Sequence, residues 1–208
     1  MAEKEIERKV STNILDLWDM SKDALSEIIV SNPSLRGFLF GYVSEYKLRK
    51  WWFSGDNVAD VRKHDDHSRK NKGDLVFNYK GVEVKVEAKS LQTNSITTIN
   101  GTHKGKFQCD ASDCREVMLP NGQRVKTTCL VVDEFDLLAV NLFQFENKWQ
   151  FAFARNQDLP RSTSNKYTPT QRKYLLATLM DMTLPLQPPF EAEPFRLLDE
   201  IAKEKKKG

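Results

Sequence analysis

Two neighbouring runs that alternate apolar and polar side chains, residues 74–79 and 82–89, constrain the fold of this chain more than any other feature. Alternation with a period of two is typical of β-strands, and Lys80-Gly81 between the runs predicts a tight hairpin turn. Side chains alternate faces along a strand, so the second run has one apolar and one charged face. The apolar face consists of Val82, Val84, Val86 and Ala88, and the charged face of Glu83, Lys85, Glu87 and Lys89.

The turn geometry predicts which residues of the hairpin face each other. A turn centred between Lys80 and Gly81 places Asp74 opposite Glu87, whereas a three-residue loop would shift this pairing by about one position. Two facing carboxylates are destabilising unless a positive charge neutralises them, and Lys89 provides part of that charge. A Mg²⁺ ion would neutralise them better, because it takes oxygen ligands from one or two carboxylates. A metal ion beside a lysine suits the activation of water against a phosphodiester.

These residues carry a resemblance to a known family. Lys72-Gly73-Asp74-Leu75-Val76-Phe77 and Glu87-Ala88-Lys89, with twelve residues between Asp74 and Glu87, resemble the motif of the PD-(D/E)XK nuclease superfamily. Many restriction endonucleases share this fold, and the similarity extends over roughly residues 35–155. Gly73 stands where the family motif often has proline.

The resemblance implies roles for individual residues. The catalytic residues are expected to be Asp74, Glu87, Lys89 and Glu45, the last from the preceding helix. The metal ligands are expected to be Asp74, Glu87, Glu45 and the backbone carbonyl of Ala88. The implied cofactor is Mg²⁺, with Mn²⁺ as a substitute.

Several observations compete with this interpretation. The sequence contains six Glu-x-Lys triplets, against about 1.4 expected by chance from composition. Strand context selects Glu87 over Glu83, because Glu83 would face Asn78 rather than an acid. The alternative is a solvated ladder of charges on an exposed sheet face. For Glu45 the alternative is a surface ion pair with Arg49, one helical turn away.

Basic and amide side chains around the hairpin are candidates for contact with double-stranded DNA. Lysine and arginine neutralise phosphates, while asparagine and glutamine can read adenine. In the predicted loops before and after the hairpin, the candidates are Arg62, Lys63, Arg69, Lys70, Lys72, Asn94, Lys104 and Lys106. Gln108 is a further candidate, because some branches of the family use a glutamine after the lysine strand. The alternative is that these are ordinary solvated loops.

The order of elements predicts an α+β fold. Helices come first, then many strands, then a helix, and the resemblance implies a restriction-endonuclease-like core with a central mixed β-sheet flanked by helices. We expect an N-terminal helical extension over residues 1–33, a nuclease core over 34–184, and a proline-rich linker with a frayed lysine-rich tail over 185–208. Within the core, we expect a helix over about 35–53 and another from Thr168-Pro169 to about Met182.

The buried side of the 35–53 helix is expected to carry Leu35, Phe38, Leu39, Tyr42, Val43, Tyr46 and Trp52. Residues 54–73 and 92–106 are expected to be loops because the apolar pattern lapses there.

Composition narrows the class of protein. No window approaches 18 apolar residues and the first ten residues lack an apolar core, so neither a membrane span nor a secretion signal is expected. Three cysteines cannot all pair and suit a reducing cytoplasm.

The resemblance therefore implies a metal-dependent DNA endonuclease of restriction type or from a phage or defence system. We expect a homodimer, because one site per chain cuts both strands only as a dimer or by successive nicks. The alternatives are a catalytically inactive nucleic-acid-binding module of the same fold and an interaction protein with a charged sheet.

Overall fold

The computed structural model describes residues 13–63 and 73–207. The described residues form two compact units, which divide between Tyr42 and Val43. The helices are α1 (Ile14–Leu17), α2 (Lys22–Ser31), α3 (Pro33–Trp52), α4 (Phe143–Glu146), α5 (Pro169–Arg172) and α6 (Phe195–Lys205). The strands are β1 (Val58–Lys63), β2 (Leu75–Tyr79), β3 (Val82–Ser90), β4 (Thr97–Ile99), β5 (Thr102–Gln108), β6 (Asp110–Met118), β7 (Arg124–Cys129), β8 (Leu137–Asn141), β9 (Phe151–Arg155) and β10 (Leu179–Leu184).

A five-stranded sheet is the centre of the second unit, with the strand order β1-β2-β3-β8-β9. Strands β3 and β8 are parallel and the other neighbours are antiparallel. The predicted α+β class with a mixed central sheet is confirmed. Two smaller sheets, β10-β5-β4 and β6-β7, complete the strands.

The central sheet packs an apolar core on each face. On one face the side chains of β2, β3 and β9 enclose a cluster with Leu48 of α3 and Leu198 of α6. On the other face Leu138 and Val140 of β8 pack against β5 and β10. Trp52 stacks edge-on against Phe153 at 5.3 Å between ring centroids, so it packs at the helix end as apolar burial requires.

The predicted hairpin is confirmed in type and register. Lys80 and Gly81 both have positive φ angles, 50° and 83°, as a two-residue hairpin turn requires. Leu75 pairs with Val86 and Tyr79 pairs with Val82.

The structure corrects the prediction for the amino-terminal helices. Residues 1–33 were expected to be a helical extension, but residues 18–21 separate α1 from α2, because Asn13 and Ser21 each cap a separate helix. Helix α3 begins at Pro33 rather than at about residue 35, as the fixed φ angle of proline allows.

The prediction of which α3 side chains are buried is largely wrong. Its buried residues are Ser44 and Leu48, whereas most of the residues predicted to be buried are exposed. The exposed ones are Leu35, Phe38, Tyr42, Val43 and Tyr46, while Trp52 is packed against the core.

Two segments expected to be loops contain strands. Residues 58–63 form β1, an edge strand whose partly exposed side chains do not alternate cleanly. Residues 97–108 contain the β4–β5 hairpin, which turns at Asn100-Gly101, where both φ angles are positive.

Two predictions near the carboxyl terminus are also wrong. The capping box of Thr168 and Gln171 starts a helix as expected, but α5 ends at Arg172 and residues 179–184 pair with β5 as strand β10. The expected frayed tail is helix α6, because its apolar residues join the core under the central sheet. Across residues 13–63 and 73–207, no helix is both long and apolar enough to span a membrane.

Candidate active site

The Asp74 carboxylate lies beside Glu87 across the hairpin. The backbone N–H of Asp74 donates to Val86 O at 2.8 Å, and Asp74 Oδ2 accepts a hydrogen bond from the N–H of Ala88 at 2.7 Å. In an extended strand the C=O of a residue points to the same side as its N–H. The Ala88 carbonyl therefore points to the side of β3 on which Asp74 lies.

Lys89 lies on the same face of β3 as Glu87. Its Nζ is 2.8 Å from Glu87 Oε1 and donates to the backbone carbonyl of Asp110 at 3.4 Å. The side chains of Glu87 and Lys89 are only 12% and 21% exposed, so this ion pair is largely shielded from solvent. Buried charges of this kind are stable only when they are paired.

Burial and mutual charge set the protonation of the group. Burial raises the pKa of Asp74 and of Glu87, and the positive charge of Lys89 opposes this rise at both. Burial lowers the pKa of Lys89, but the carboxylates of Glu87 and Asp74 outweigh it, so the pKa of Lys89 is raised overall. Lys89 is therefore an ammonium group that donates hydrogen bonds and neutralises the two acids.

Glu45 lies on the side of α3 that faces Asp74. Glu45 Oε2 is 2.8 Å from Nζ of Lys63 at the end of β1, and the Glu45 charge contributes to raising the pKa of Asp74, after the larger effect of burial. The ion pairs of the described chain do not include Glu45 with Arg49. The structure thus brings Glu45 towards the acid pair, through Lys63 rather than by a direct bond.

A cavity of about 1100 Å³ opens over this group. One side is lined by Lys63, Gly73, Asp74, Glu87 and Lys89, and the other by residues of β6, the following turn and residues 130–134. On that second side Arg115 contacts both carboxylate oxygens of Glu134, at 2.5 and 2.6 Å.

Glu134 also acts on the acid pair, because its charge contributes to raising the pKa of Glu87. Three residues of this wall of the cavity were not predicted from the sequence, because no local motif marks them: Arg115, Glu134 and Asp110. They reach the site only through the pairing of β6 with β7 and the path of the chain after β7.

Gly73 has a backbone conformation that excludes proline. Its φ angle is +86°, which proline cannot adopt and other residues rarely do. A Cβ atom there would lie 3.2 Å from Val86 O and 3.3 Å from Lys85 Cβ. Glycine therefore lets the chain pass close to β3 as it enters β2, and this close approach sets the position of Asp74.

The candidate DNA contacts within the described residues fall into three groups, on β1, in a short 3₁₀ turn and on β5. Lys63 lines the cavity, whereas Arg62, beside it on β1, pairs with Glu83 at 3.2 Å on the exposed surface. Asn94 is exposed in a short 3₁₀ turn. The side chains of Arg69, Lys70 and Lys72 lie outside the described residues.

The third group alternates along one exposed face of β5 and consists of Lys104, Lys106 and Gln108. Gln108 Nε2 donates to Asp110 Oδ2 at 2.9 Å, and Asp110 lines the cavity. This row of polar side chains therefore leads to the rim of the site.

The donor set suits a hard divalent cation. Among residues 13–63 and 73–207, no three His, Cys, Asp or Glu side chains converge as a metal cluster. Mg²⁺ does not require three, because it is usually bound through one or two carboxylates and keeps several waters. Asp74, Glu87 and the Ala88 carbonyl offer oxygen donors only, and both acids are buried beside the cavity.

Comparisons with known proteins add little to this geometry. No family model matches the chain, and no curated protein matches its sequence. Among solved structures, it is similar to a bacterial homing endonuclease, I-Ssp6803I. The two are 16% identical, with a TM-score of 0.31 over 66% of this chain and 86% of the other.

Proposed function

We propose that this chain is a metal-dependent endonuclease that hydrolyses phosphodiester bonds of double-stranded DNA. The observation that carries the proposal is the buried pair of acids, Asp74 and Glu87, held beside the Lys89 ammonium on the wall of one open cavity. A pair of acids kept at such a cost of burial is typical of a functional site.

Each residue of the group has a distinct role in this proposal. Asp74, Glu87 and the Ala88 carbonyl would hold Mg²⁺, or Mn²⁺ in its place. When bound, the ion supplies positive charge to the phosphate and lowers the pKa of a bound water. Lys89 donates hydrogen bonds to a phosphate oxygen or to the attacking water, and its charge stabilises the negative charge that develops there.

Glu45 and Lys63 adjust the charge around Asp74. Glu45 adds a third carboxylate near the site and holds Lys63 at the cavity wall by their 2.8 Å ion pair. Lys63 is a donor that can contact the DNA backbone, as lysines of this kind do. Within this proposal, Glu45 acts either on the metal through water or on Lys63.

The biological setting is part of the same proposal. The resemblance of Asp74 and Glu87-Ala88-Lys89 to the nuclease motif favours a restriction-type or a phage or defence nuclease. The described chain carries one acid–lysine group, so two-strand cutting requires a homodimer or two successive nicks. Sedimentation of the protein with and without a DNA duplex distinguishes these two cases.

A plasmid assay tests the proposal. Supercoiled plasmid is incubated with the protein in Mg²⁺, in Mn²⁺ and in EDTA, and the nicked and linear products are separated on a gel. Cleavage that requires the metal and disappears in the Glu87→Gln variant supports the proposal. Metal-independent DNA binding without cleavage by the folded wild type would instead identify a non-catalytic DNA-binding module.

A further inference from the structure

Strands β6 and β7 form a two-stranded ribbon of their own, which we call the β6–β7 ribbon (residues 110–129). One face is buried in a small apolar core that includes Val125 and Leu119. The Thr127 hydroxyl lies 2.6 Å from the hydroxyl of Tyr167 within this core. The ribbon is therefore held firmly from one side.

The other face of the β6–β7 ribbon is open to solvent and carries long side chains. Glu116 pairs across the ribbon with Lys126, and Met118 with Arg124. Met118 is 65% exposed, which is unusual for a large apolar side chain. Glu116 Oε2 lies 3.2 Å from Arg124 Nη1, and both side chains are exposed on this face.

The β6–β7 ribbon is also continuous with the acid–lysine site. The cavity wall runs from Asp74 and Glu87 along β6 to Met118 and the turn at Gly122. At the base of the ribbon, Arg115 is bound bidentately to Glu134, whose charge reaches Glu87. Whatever occupies the acid end of this cavity is therefore adjacent to the ribbon.

We infer that the β6–β7 ribbon enters the major groove of double-stranded DNA and reads base pairs next to the phosphate at the acid–lysine site. The inference rests on the proposed function. A major groove of about 12 Å admits a two-stranded ribbon. The regularly paired part of the ribbon, residues 115–118 with 124–127, is about 13 Å long and reaches several base pairs. Exposed donors on the ribbon and its turn include Arg124, Lys126, Gln123 and Asn121.

Arg124 is the main base-reading residue of the ribbon. Arginine recognises guanine through two parallel hydrogen bonds from its planar guanidinium. The Arg124 side chain is exposed on this face, beside Glu116. Lys126, which pairs across the ribbon with Glu116, contacts phosphate or base. Met118, which pairs with Arg124, supplies an apolar surface for a thymine methyl group.

The test uses a library of duplex DNA with randomised sequence. Cleaved molecules in Mg²⁺, and bound molecules in EDTA, are sequenced for the wild type and for Arg124→Ala. Arg196→Ala is the matched control. Arg196 is an exposed arginine on α6 that pairs with Glu200 of the same helix and with Glu191 before it. We expect the wild type to prefer particular base pairs, Arg124→Ala to lose about 10- to 100-fold of the preference at one base pair, and the control to match the wild type.

Each outcome decides something. Loss of affinity that is equal for all sequences, or an unchanged sequence profile in Arg124→Ala, would overturn base reading by the ribbon. Equal activity on duplex RNA would overturn it too, because the deep, narrow major groove of RNA does not admit a ribbon. Ribbon-dependent selective binding without cleavage would keep this inference and refute the enzyme. Cleavage by the wild type without sequence preference would support the enzyme and refute base reading by the ribbon. A folded protein that neither binds nor cleaves DNA would refute both proposals.

Discussion

The carboxylate of Asp74 accepts the backbone N–H of Ala88 at 2.7 Å, one residue beyond Glu87 on the neighbouring strand. Because Asp74 N–H also donates to Val86 O, both the main chain and the side chain of Asp74 are tied to β3 on either side of Glu87. The hairpin backbone thus fixes one acid against the other. Substitutions in this hairpin separate the chemistry of the site from its packing.

Glu87→Gln is expected to abolish Mg²⁺-dependent cleavage, because it removes the carboxylate that pairs with Lys89. Glu83→Gln is the matched control on the same strand face. Glu83 faces Asn78, pairs with Arg62 on the exposed surface and does not line the cavity. Cleavage of plasmid in Mg²⁺ measures both. If Glu87→Gln is active and Glu83→Gln is inactive, the catalytic site lies instead at the triplet Glu83-Val84-Lys85.

Asp74→Asn is expected to lose cleavage but not stability. Burial raises the pKa of Asp74 in the folded protein, so its ionised form costs stability above that pKa and the cost disappears as the pH falls below it. Without Mg²⁺ at neutral pH, the variant should match the wild type or gain at most about 1 kcal/mol in free energy of unfolding. This gain should shrink as the pH falls.

Thermal melting with EDTA and with Mg²⁺ measures both effects. At 100 times its dissociation constant, Mg²⁺ should stabilise the wild type by about 2.7 kcal/mol and Asp74→Asn far less. If the variant is instead much less stable in EDTA, Asp74 is a structural hydrogen-bonding residue.

Gly73→Ala is expected to lower stability by about 1–3 kcal/mol and to impair cleavage. The new Cβ would crowd Val86 O at 3.2 Å at a φ angle of +86° and displace Asp74. Gly101→Ala is the matched control, because Gly101 has a similar φ of +74° with nothing within 4 Å of an added Cβ. Chemical unfolding and plasmid cleavage should show a stability loss in both variants and a loss of activity in Gly73→Ala alone. Full activity of Gly73→Ala would show that the close approach does not position Asp74.

Glu45→Gln tests the acid on the helix. Its ion pair with Lys63 is partly exposed, so its loss should cost under about 1 kcal/mol in free energy of unfolding. We expect cleavage to fall or to require more Mg²⁺, measured as rate against Mg²⁺ concentration. Lys63→Met separates the roles, because an equal effect in both variants assigns Glu45 to holding Lys63. Wild-type metal dependence in Glu45→Gln would leave Glu45 with a purely structural role.

Leu198→Ala tests the place of the last helix. Leu198 is fully buried in the core under the central sheet, so the substitution should cost about 2–5 kcal/mol. Lys203→Ala on the exposed side of α6 is the control and should change stability by less than about 0.5 kcal/mol. Urea unfolding measures both. A small effect of Leu198→Ala would restore the expectation of a frayed tail.

The sequence by itself determined the hairpin and the acid–lysine group within it. A period-two pattern and the Lys80-Gly81 turn are local signals. Together they determine the pairing register of the hairpin, and the register assigns each side chain to one face of the sheet. Asp74 opposite Glu87 follows from that register alone. The helix start at Thr168-Pro169 was an equally local signal and was predicted correctly.

Only the tertiary structure decided the strands and helices whose stability comes from distant partners. Strand β1 is an edge strand with little apolar surface, and β10 exists because its backbone pairs with β5. Such pairing leaves no local signal, since β-structure depends on its neighbours more than on intrinsic propensity. Helix α6 has a clear apolar face, but its burial depends on the core beneath the central sheet. The second wall of the cavity, from Arg115 to Glu134, is likewise brought to Asp74 and Glu87 only by long-range strand pairing, which no local pattern encodes.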